Sequence, residues 1–523
     1  MQQQHIPLRD TSLFSTFFLD YIEHKEALAP FYNRFPSIAA FKDQLKDKGA
    51  SFPLASRQVL HEVLQAQYKE LVVDERLVVN LSALKNTNTF TVTTGHQLNI
   101  FTGPLYFIYK IVSVINACKQ LAKAYPQFHF VPVYWMASED HDFEEISYFR
   151  LYGKKYTWKT EQQGAVGRFD PKGLASLISE LPGDVELFKE AYLKHERLSD
   201  AVRYYVNALF GNEGLVVIDA DNPQMKAQLI PVIKDDLLAH SAQAKVTQAD
   251  EALNGLGYAT QVHAREINFF YLDNGLRGRI EKQDDKFIVV DTDLSFTTKE
   301  LLDKVEKNPE QFSPNVILRP LYQEMVLPNL AYVGGPAEIV YWLQLKGVFD
   351  HFKIPFPLLM PRNFALVMSG PIARKFEKTG FTDQELFEGK NYLFNHWVLK
   401  NTAHNLSLTE EREKVAGLYD GIKRRAKAID VTLAPLVAAE AKRAARSFEK
   451  IESKLLRAEK RKQADKLRQI DEVKEALFPQ GSLQERTDNF LNFYQTDKAF
   501  IKKMAKALDP FDFQFNLLRY PFA

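Results

Sequence analysis

The segment from Asn88 to Glu145 constrains the fold more than any other part of the chain, because its pattern predicts two strands joined by one helix. Thr89–Thr94 is short and β-branched, apolar residues recur at helical spacing from 104 to 123, and Phe128–Trp135 is a second apolar run. Strands joined by so short a helical connection are expected to be parallel neighbours with a right-handed crossover. Ligands bind at the carboxyl ends of strands in open parallel sheets, so functional residues are expected just after each strand.

Further segments extend this unit into a larger α/β core. After a helical start that reaches about residue 85, a helix is predicted from about 183 to 210, followed by the buried parallel strand Leu215–Asp221. The last core strand is expected at Pro355–Arg362. Glu266–Ile280 alternates around an Asp-Asn-Gly turn, which predicts an antiparallel insertion into the core.

Long charged helices are predicted from Ser407 onward. Apolar residues lie at three- and four-residue spacing as far as Ile429, and the pattern resumes after Pro435 and continues, with a slip near Lys462, to Leu477. Narrow apolar seams with charged flanks indicate a coiled coil.

Two Ser/Thr-x-x-Glu patterns predict helix starts. Thr297–Glu300 and Ser407–Glu410 both match the capping box, in which the first and last residues of the pattern exchange hydrogen bonds with each other's backbone. We therefore expect helices that begin directly after Thr297 and Ser407.

Length, charge and cysteine content exclude several classes of protein. A chain of 523 residues exceeds what one hydrophobic core usually serves, so we expect an appended unit. The net charge of +1 and the acidic residues interspersed along the coiled coil argue against nucleic acid as a partner. Cys118 is the single cysteine and falls on the apolar face of the first helix, which predicts a core thiol and no disulfide.

The hydropathy pattern gives no membrane signal. The N-terminus lacks a charged segment followed by an apolar one, and nowhere do eighteen uncharged apolar residues occur together. We therefore expect a cytoplasmic protein that does not contact a membrane.

Five motifs together resemble the bacillithiol biosynthesis cysteine-adding enzymes, a cysteine ligase family. They are TTGHQLNIFTGPLYFIYKI (Thr93–Ile111), PVYWMASEDHDFEEI (Pro132–Ile146), FSPNVILRPLYQE (Phe312–Glu324), LPNLAYVGGPAEIVYWLQLK (Leu327–Lys346) and ERTDNFLNFY (Glu485–Tyr494). The motifs are long, ordered and spread over essentially the whole chain. One departure is His96, because the family often has glutamine at this position.

The resemblance implies a fold and an activity. The fold is an α/β Rossmann-like parallel-sheet core with connecting-peptide insertions, plus an α-helical coiled-coil domain that makes a homodimer. The expected divisions are a core at 1–375 with insertions at about 151–210 and 256–310, a coiled-coil domain at 376–482, and a C-terminal segment at 483–523 that packs back on the core. The implied activity is a carbon–nitrogen ligase that adds L-cysteine to the glucosamine amine of glucosaminyl malate, in the last step of bacillithiol biosynthesis.

Two other functions stay open from the sequence. One is a nucleotidyl transferase acting on another small acid, and the other is a non-catalytic dimeric scaffold that binds ligands. The cofactor is also left open, with ATP or another nucleotide as a candidate.

Amide formation needs an activated carboxylate, a neutral amine and stabilisation of developing negative charge. Gly95 and His96 follow the first strand, in the place of the nucleotidyl-transferase H-x-G-H signature whose first histidine is replaced by Thr93. Gly95 would let the backbone approach a phosphate, and His96 could donate a hydrogen bond to oxygens that gain charge. Gln97 matches the family motif and is assigned to substrate binding with Gly95, whereas the alternative for His96 is a turn histidine.

The second strand ends in an acidic cluster. Asp140, His141 and Asp142 are the predicted catalytic set, since carboxylates can hold an ammonium and one group can take its proton. The alternatives are a Mg²⁺ or Zn²⁺ site, for which the sequence gives no ligand count, and an acidic loop that caps the next helix. Trp135, just before the cluster, is expected to form a pocket wall.

An anionic malate moiety requires cations or free backbone amides. Lys110, Arg319 and Arg362 lie in or beside the strongest motifs and are candidates to hold its carboxylates, against the alternative of structural ion pairs. Gly334 and Gly335 precede a predicted helix at 338–348 and could offer N–H groups to an anion, against the alternative of a tight turn.

Overall fold

The computed structural model describes residues 2–520, which form two compact units. The core unit comprises Gln3–Leu366 and Gln484–Leu517, and the helical unit comprises Val367–Leu483 with Gln2 and 518–520. The segment Gln484–Leu517 therefore belongs to the same unit as residues 3–366.

Strands and helices alternate along the core unit. The strands are β1 (Gln2–Pro7), β2 (Thr89–His96), β3 (His129–Met136), β4 (Tyr148–Leu151), β5 (Lys154–Thr157), β6 (Val216–Asp219), β7 (Phe269–Asp273), β8 (Leu276–Gln283), β9 (Lys286–Val289), β10 (Ser295–Thr297), β11 (Phe312–Pro314), β12 (Asn329–Gly334), β13 (Leu358–Pro361), β14 (Phe364–Ser369) and β15 (Gln514–Tyr520). The division between the units falls within β14 and β15.

Helices occur along the whole sequence of the core unit. They are α1 (Thr16–Ile22), α2 (Phe41–Ser51), α3 (Leu54–Tyr68), α4 (Glu75–Ala83), α5 (Tyr106–Ala124), α6 (Phe143–Ile146), α7 (Ala175–Ser179), α8 (Glu186–Lys194), α9 (Leu198–Phe210), α10 (Pro223–Lys226), α11 (Ile230–Leu238), α12 (Ser241–Gly255), α13 (Thr298–Lys307), α14 (Arg319–Val326), α15 (Pro336–Trp342), α16 (Lys346–His351), α22 (Gln484–Thr487), α23 (Leu491–Tyr494) and α24 (Phe500–Ala507). The helical unit contains α17 (Gly370–Glu377), α18 (Lys390–Asn401), α19 (Thr409–Ile429), α20 (Ala434–Lys462) and α21 (Ala464–Leu477).

The central sheet has five parallel strands in the order β13-β12-β2-β3-β6. β2 and β3 pair from Thr89 opposite His129 to His96 opposite Met136, and α5 connects them, so the predicted βαβ unit is confirmed. Every residue of β2 is buried, which explains its continuous apolar and β-branched character. The chain runs outward from β2 through β3 to β6 and then returns to place β12 on the other side of β2, which makes a topological switch point between β2 and β12.

The predicted antiparallel insertion is also confirmed, and it is larger than expected. It forms a five-stranded sheet in the order β10-β9-β8-β7-β11, between β6 and β12 in the chain. β11, which begins the motif Phe312–Glu324, pairs with β7. This pairing joins the insertion to the segment that leads into α14.

The loop from β2 to α5 is held by the C-terminal segment. Phe101 and Thr102 have left-handed backbone angles, with φ of 53° and 72°, and Gly103 follows with φ of 61°. Asn489 Nδ2 donates to the carbonyl oxygens of Phe101 at 2.7 Å and Gly103 at 2.6 Å, and the Leu105 N–H donates to the Asp488 carbonyl at 2.7 Å. The last part of the chain thus shapes the turn that follows the first core strand.

The helical unit has one small core and a long exposed helical pair. Its core contains Leu393, Val398, Leu406, Leu467 and Ile470. The helices α19 and α20 contact each other along their lengths, and α19 has no buried residue. Between residues 2 and 520, no helix is long and apolar enough to cross a membrane.

Several predicted boundaries require correction. The helix predicted from 183 to 210 is two helices, α8 and α9, because His195 and Arg197 have extended backbones. The helix predicted at 338–348 is divided into α15 and α16 by the 3₁₀ turn Leu343–Leu345. The Thr297 capping box is formed, whereas α19 begins without a side-chain cap from Ser407.

Candidate functional site

A cleft of about 410 Å³ lies at the carboxyl ends of β2, β3 and β12, where the sheet has its switch point. It is lined by these predicted site residues: Gly95, His96, Gln97, Lys110, Trp135, Asp140, Arg319, Gly335 and Arg362. Gly334, His141 and Asp142 are not among its lining residues. The fold therefore brings together most of the predicted set from five separate segments of chain.

Gly95 lines the cleft where a side chain would crowd its neighbours. A Cβ atom at this position would lie 3.1 Å from the Tyr332 hydroxyl and 3.7 Å from Arg319 Nη1. The Gly95 carbonyl accepts a hydrogen bond from Lys110 Nζ at 2.8 Å. Lys110 also pairs with Glu338 at 2.5 Å and is buried, so it is a structural cation of the cleft wall.

His96 is a neutral imidazole in the cleft. Burial, followed by the charges of Lys110 and Arg362, lowers the pKa of His96 well below its ordinary value. Its ring lies 5.4 Å from the Tyr106 ring and 5.2 Å from the Phe107 ring. A neutral imidazole still donates one hydrogen bond, so the charge-stabilising role predicted for His96 is compatible with this state.

Three buried polar atoms of the cleft residues have no hydrogen-bond partner within residues 2–520. They are His96 Nε2, Gln97 Oε1 and Arg319 Nη2. Buried polar atoms are nearly always paired in folded proteins, so a cluster of unpaired ones marks a place where a polar ligand can bind.

Asp140 is fixed from three sides. Gln97 Nε2 donates to its Oδ2 at 2.5 Å, while Arg277 Nη1 at 3.3 Å and the His141 N–H at 2.8 Å donate to its Oδ1. Burial alone would raise the pKa of Asp140, but hydrogen bonding by His141 and the charge of Arg277 lower it well below the usual carboxyl range. Asp140 is therefore a permanent anion.

His141 and Asp142 lie outside the cleft. The His141 ring faces the insertion, with Nδ1 2.7 Å from Arg277 Nη1, and Asp142 Oδ1 accepts the Glu145 N–H at 3.3 Å as the N-cap of α6. The alternative interpretation of a helix cap thus describes Asp142, and the prediction that it lies in the catalytic set is not supported by its position.

Glu139 lines the cleft beside Asp140 and is paired with a buried lysine. Its Oε1 contacts Lys226 Nζ, which also donates to the Phe312 carbonyl at 2.7 Å. Burial raises the pKa of Glu139 to about 7, against the opposing charge of Lys226. This carboxyl group therefore titrates near neutral pH.

The amides of Gly334 and Gly335 do not form the predicted anion site. The Gly335 N–H donates to Glu338 Oε2 at 2.8 Å, so a carboxylate of the protein already occupies it. Gly334 belongs to β12, where its carbonyl accepts the Arg362 N–H at 2.8 Å. Close packing explains this pair of glycines, since a Cβ at Gly334 would lie 3.0 Å from both Glu338 Cβ and the Tyr332 ring.

The arginines of the cleft differ in their pairing. Arg362 is buried, donates to Glu485 Oε1 at 2.5 Å and to the Asn363 carbonyl at 2.8 Å, and lies over the Tyr106 ring. Arg319 donates to Gln323 at 3.1 Å and has no carboxylate partner in the described part of the chain. Arg486 is exposed at the cleft and forms no ion pair with any residue that the structure describes.

The cleft is lined by charged groups of both signs as well as by apolar surface. Glu139, Asp140 and Glu145 follow β3, whereas Arg319, Arg362 and Arg486 come from α14, the end of β13 and the C-terminal segment. Arg277 and Glu338 also line the cleft, the first paired with Asp140 and the second with Lys110. Burial, with the charges of Asp140 and Asp142, raises the pKa of Glu145. One ligand can therefore place a cation among carboxylates and its anions among arginines.

The carboxylates after β6 are structural. Asp219 accepts a hydrogen bond from the Ser138 hydroxyl, and Asp221 forms a bidentate pair with Arg168 at 2.7 and 2.9 Å. Within residues 2–520, no group of three or more histidine, cysteine or acidic side chains is arranged to hold a metal ion. Cys118 is buried, and burial raises the pKa of its thiol, as expected for a core residue.

Comparison with protein families assigns both parts of the chain. The model of the N-terminal Rossmann-like domain of bacillithiol biosynthesis BshC matches residues 1–363, and that of the C-terminal coiled-coil domain matches residues 365–520. This chain belongs to the BshC family.

Curated relatives in the family are similar over their full length. A protein of Flavobacterium psychrophilum is 40% identical over 527 residues, which cover 98% of this chain and 99% of the relative. A protein of Flavobacterium johnsoniae is 40% identical over 98% of this chain and 99% of its own, and one of Christiangramia forsetii is 39% identical over 98% of each. All three are named "Putative cysteine ligase BshC".

Sequence reasoning on this BshC family member missed five charged residues of the cleft: Glu139, Glu145, Arg277, Glu338 and Arg486. Glu139 and Glu145 belong to the acidic cluster but were not selected, and Glu338 was treated only as the start of a helix. Arg277 lies in β8 of the insertion, where alternation suggested only a strand, and Arg486 lies in the last motif. Glu139 could have been selected from its position directly after a buried strand. Arg277 and Arg486 carry no such local signal, since long-range folding brings them to the cleft.

Proposed function

We propose that this protein is a cysteine ligase that joins L-cysteine to the glucosamine amine of glucosaminyl malate in the last step of bacillithiol biosynthesis. The observation that carries the proposal is a cleft lined both by carboxylates that follow β3 and by arginines from other segments, in a chain of the BshC family. Glucosaminyl malate has one ammonium and two carboxylates, so it matches a cleft that offers carboxylates and arginines.

The arginines of the cleft would bind malate. Arg319 and Arg486 have no carboxylate partner within residues 2–520, and an arginine can hold a carboxylate through two parallel hydrogen bonds. Arg362, already held by Glu485, adds positive charge without being displaced. Lys110 is paired with Glu338, donates to the Gly95 carbonyl and supports the wall of the cleft.

The carboxylates that follow β3 would bind the ammonium. Asp140 remains ionised because Arg277 and Gln97 hold it, and it attracts the glucosamine nitrogen toward the end of β3. Trp135 in the cleft lining gives the sugar an apolar surface. His96 and the Gly95 backbone lie at the switch point, where a neutral N–H would stabilise the oxyanion formed on the cysteine acyl group.

Activation of the cysteine carboxylate by a nucleotide, with ATP as the candidate, is part of this proposal. Gly95 leaves room for backbone approach, and the unpaired atoms of His96 and Arg319 fit the oxygens of a phosphate or acyl phosphate. A bound nucleotide would supply the leaving group on the cysteine carboxylate.

The test is a thiol profile of cells that lack the gene. Deletion should abolish bacillithiol and cause glucosaminyl malate to accumulate, and the wild-type gene should reverse both changes, as measured by mass spectrometry. Equal thiol content with and without the gene would refute the ligase function. Pyrophosphate release by the purified protein without cysteine would favour a nucleotidyl transferase instead.

We further propose that the protein is a cytoplasmic homodimer joined through the helical unit. On α19 and α20, Leu418 is 67% and Ile429 80% exposed, and Leu436 and Ile451 are exposed as well. Apolar side chains on long, solvated helices favour a helical partner, and a second copy of this chain supplies the same surface. Sedimentation should give a dimer for the wild type and a monomer for Leu418→Lys combined with Leu436→Lys; a monomeric wild type would refute the proposal.

A further inference from the structure

The cleft contains one carboxylate whose position differs from that of its acidic neighbours. Both oxygens of Asp140 accept hydrogen bonds from the protein, and Asp142 caps α6. Glu139 lines the cleft with its side chain 14% exposed; Lys226 binds its Oε1, and its Oε2 has no hydrogen-bond partner in the described residues. Glu139 therefore presents one unengaged oxygen from a fixed side chain.

We propose that Glu139 is the general base of the reaction and takes a proton from the ammonium of the sugar substrate. This inference rests on the proposed ligase function and names a residue for the step that the ligase needs before bond formation. Lys226 would be a positioning residue, because it holds the Glu139 carboxylate but does not line the cleft.

Amide formation removes two protons from the sugar nitrogen. The ammonium loses one proton to Glu139 Oε2, which leaves a lone pair on nitrogen. The nitrogen attacks the carbonyl carbon of an activated cysteine, an acyl phosphate or acyl adenylate, and the C–N bond forms as the bond to the phosphate oxygen breaks. The second proton lost from nitrogen leaves with the phosphate, and Glu139 returns its proton to solvent.

The charges around Glu139 suit a base that works near neutral pH. Lys226 from α10 and Arg277 from β8 favour its ionised form, whereas Asp221 disfavours that form. Arg168 and the buried Tyr322 also interact with its charge. Burial outweighs these contributions and raises the pKa of Glu139 to about 7, which is suited to accepting a proton and releasing it again in each cycle.

Glu145 is the other acidic residue of the cleft with a raised pKa, and it is exposed and forms no ion pair within residues 2–520. A base must be held in place to act on one proton, which favours Glu139. Glu144, one residue before Glu145, is exposed and does not line the cleft, so Glu144→Gln is a matched control.

The test compares two ligands that differ only in the amine. Glucosaminyl malate and glucosyl malate, which has a hydroxyl in place of the ammonium, are titrated by calorimetry into full-length wild type, Glu139→Gln, Glu145→Gln and Glu144→Gln between pH 6 and 8. For the wild type, the affinity for glucosaminyl malate divided by the affinity for glucosyl malate should rise with pH as Glu139 ionises. Glu139→Gln should remove this rise and weaken glucosaminyl malate at pH 8 by about tenfold or more, with glucosyl malate unchanged.

Activity gives the second readout. Glu139→Gln should lower bacillithiol production in the deletion strain by a factor of about 100 or more, while Glu144→Gln restores it fully. Glu139→Gln leaves the Lys226 ammonium without a charged partner, so thermal unfolding is measured for each variant. The double variant Glu139→Gln with Lys226→Met removes this buried charge. Lys226→Met alone should raise the pH at which the preference for the ammonium ligand reaches half of its maximum. If Lys226 only stabilised the fold, this pH would not change.

The outcomes separate the two proposals. If the wild type binds neither ligand, the proposed function fails. If it binds both but Glu139→Gln affects them equally or not at all, or if Glu145→Gln removes the pH dependence instead, the assignment of Glu139 as the base is refuted and the ligase function is untouched.

Discussion

Removal of the Glu485 carboxylate should destabilise the core unit strongly. Glu485 is fully buried, accepts a hydrogen bond from Arg362 Nη2 at 2.5 Å and a second one from the Ala365 N–H at 3.2 Å. Arg362 is only 2% exposed, and its other hydrogen bond is to a backbone carbonyl. Glu485→Ala therefore leaves a guanidinium and an amide buried without their acceptor.

The magnitude follows from the burial of both partners. Loss of one member of a buried ion pair costs about 3–5 kcal/mol, because the remaining charge is uncompensated. Glu485→Gln keeps an acceptor oxygen for one of the two donors, so it should cost less. Replacement of both partners, as in Arg362→Met with Glu485→Met, should recover much of the loss, since no unpaired charge remains.

Urea unfolding followed by tryptophan fluorescence measures this effect. Trp135, Trp158 and Trp342 lie in the core unit and only Trp397 lies in the helical unit, so the signal reports mainly the core unit. With a slope of about 3 kcal/mol per molar, Glu485→Ala should lower the urea midpoint by about 1–1.7 M. A shift below about 0.3 M, or a double variant less stable than Glu485→Ala, would refute the argument that uncompensated burial is the cause.

Three further predictions concern the cleft. Arg486→Ala should raise the apparent KM for glucosaminyl malate about tenfold or more and leave the urea midpoint unchanged, because the side chain is exposed and unpaired in the described residues; an unchanged KM would remove Arg486 from the malate site. Arg277→Met should destabilise the protein by about 2–4 kcal/mol at pH 7. Because folding lowers the pKa of Asp140, the stabilisation from its ion pair is present above the ordinary carboxyl range and is lost as pH falls. The difference in unfolding free energy between Arg277→Met and wild type, measured in urea, should therefore shrink toward acidic pH. A difference that stays constant with pH would contradict this prediction. Asp142→Asn should retain activity in cells and lower the unfolding midpoint little, because asparagine caps helices as well as aspartate does; a large loss of thiol would return Asp142 to the catalytic set.

The two capping boxes show how far local pattern predicts structure. The Thr297 box forms, with Thr297 and Glu300 exchanging hydrogen bonds at 3.3 and 2.8 Å, because both partners are exposed and no other group competes. At the second pattern, the Ser407 hydroxyl bonds the Thr409 hydroxyl, and the Leu408 N–H donates to Glu452 Oε1 at 2.7 Å. The Ser407 N–H thus donates to Asn405 Oδ1 at 3.1 Å and not to Glu410, and a residue 44 positions away accepts the next N–H at the start of α19.

The site shows the same division between local and long-range effects. Gly95, His96, Gln97 and Asp140 were predictable because they lie at or shortly after the carboxyl ends of buried strands, and parallel strands bring these ends to one edge of the sheet. The free amide expected at Gly335 was wrong, because the side chain of Glu338 turns back onto it.

Periodicity and long motifs within single segments predict the parallel βαβ unit, the antiparallel insertion, the charged helices and the family. Which charges remain available to a ligand depends instead on contacts between distant segments. Lys110, Arg319 and Arg362 are equal candidates in the sequence, yet Glu338 pairs with the first and Glu485 with the third, which leaves Arg319 as the one of the three without a carboxylate partner in the described residues. The reason is physical: a charge is neutralised by whichever partner lies within a few ångströms, and the partners of these residues come from positions that are more than 100 residues away in the chain.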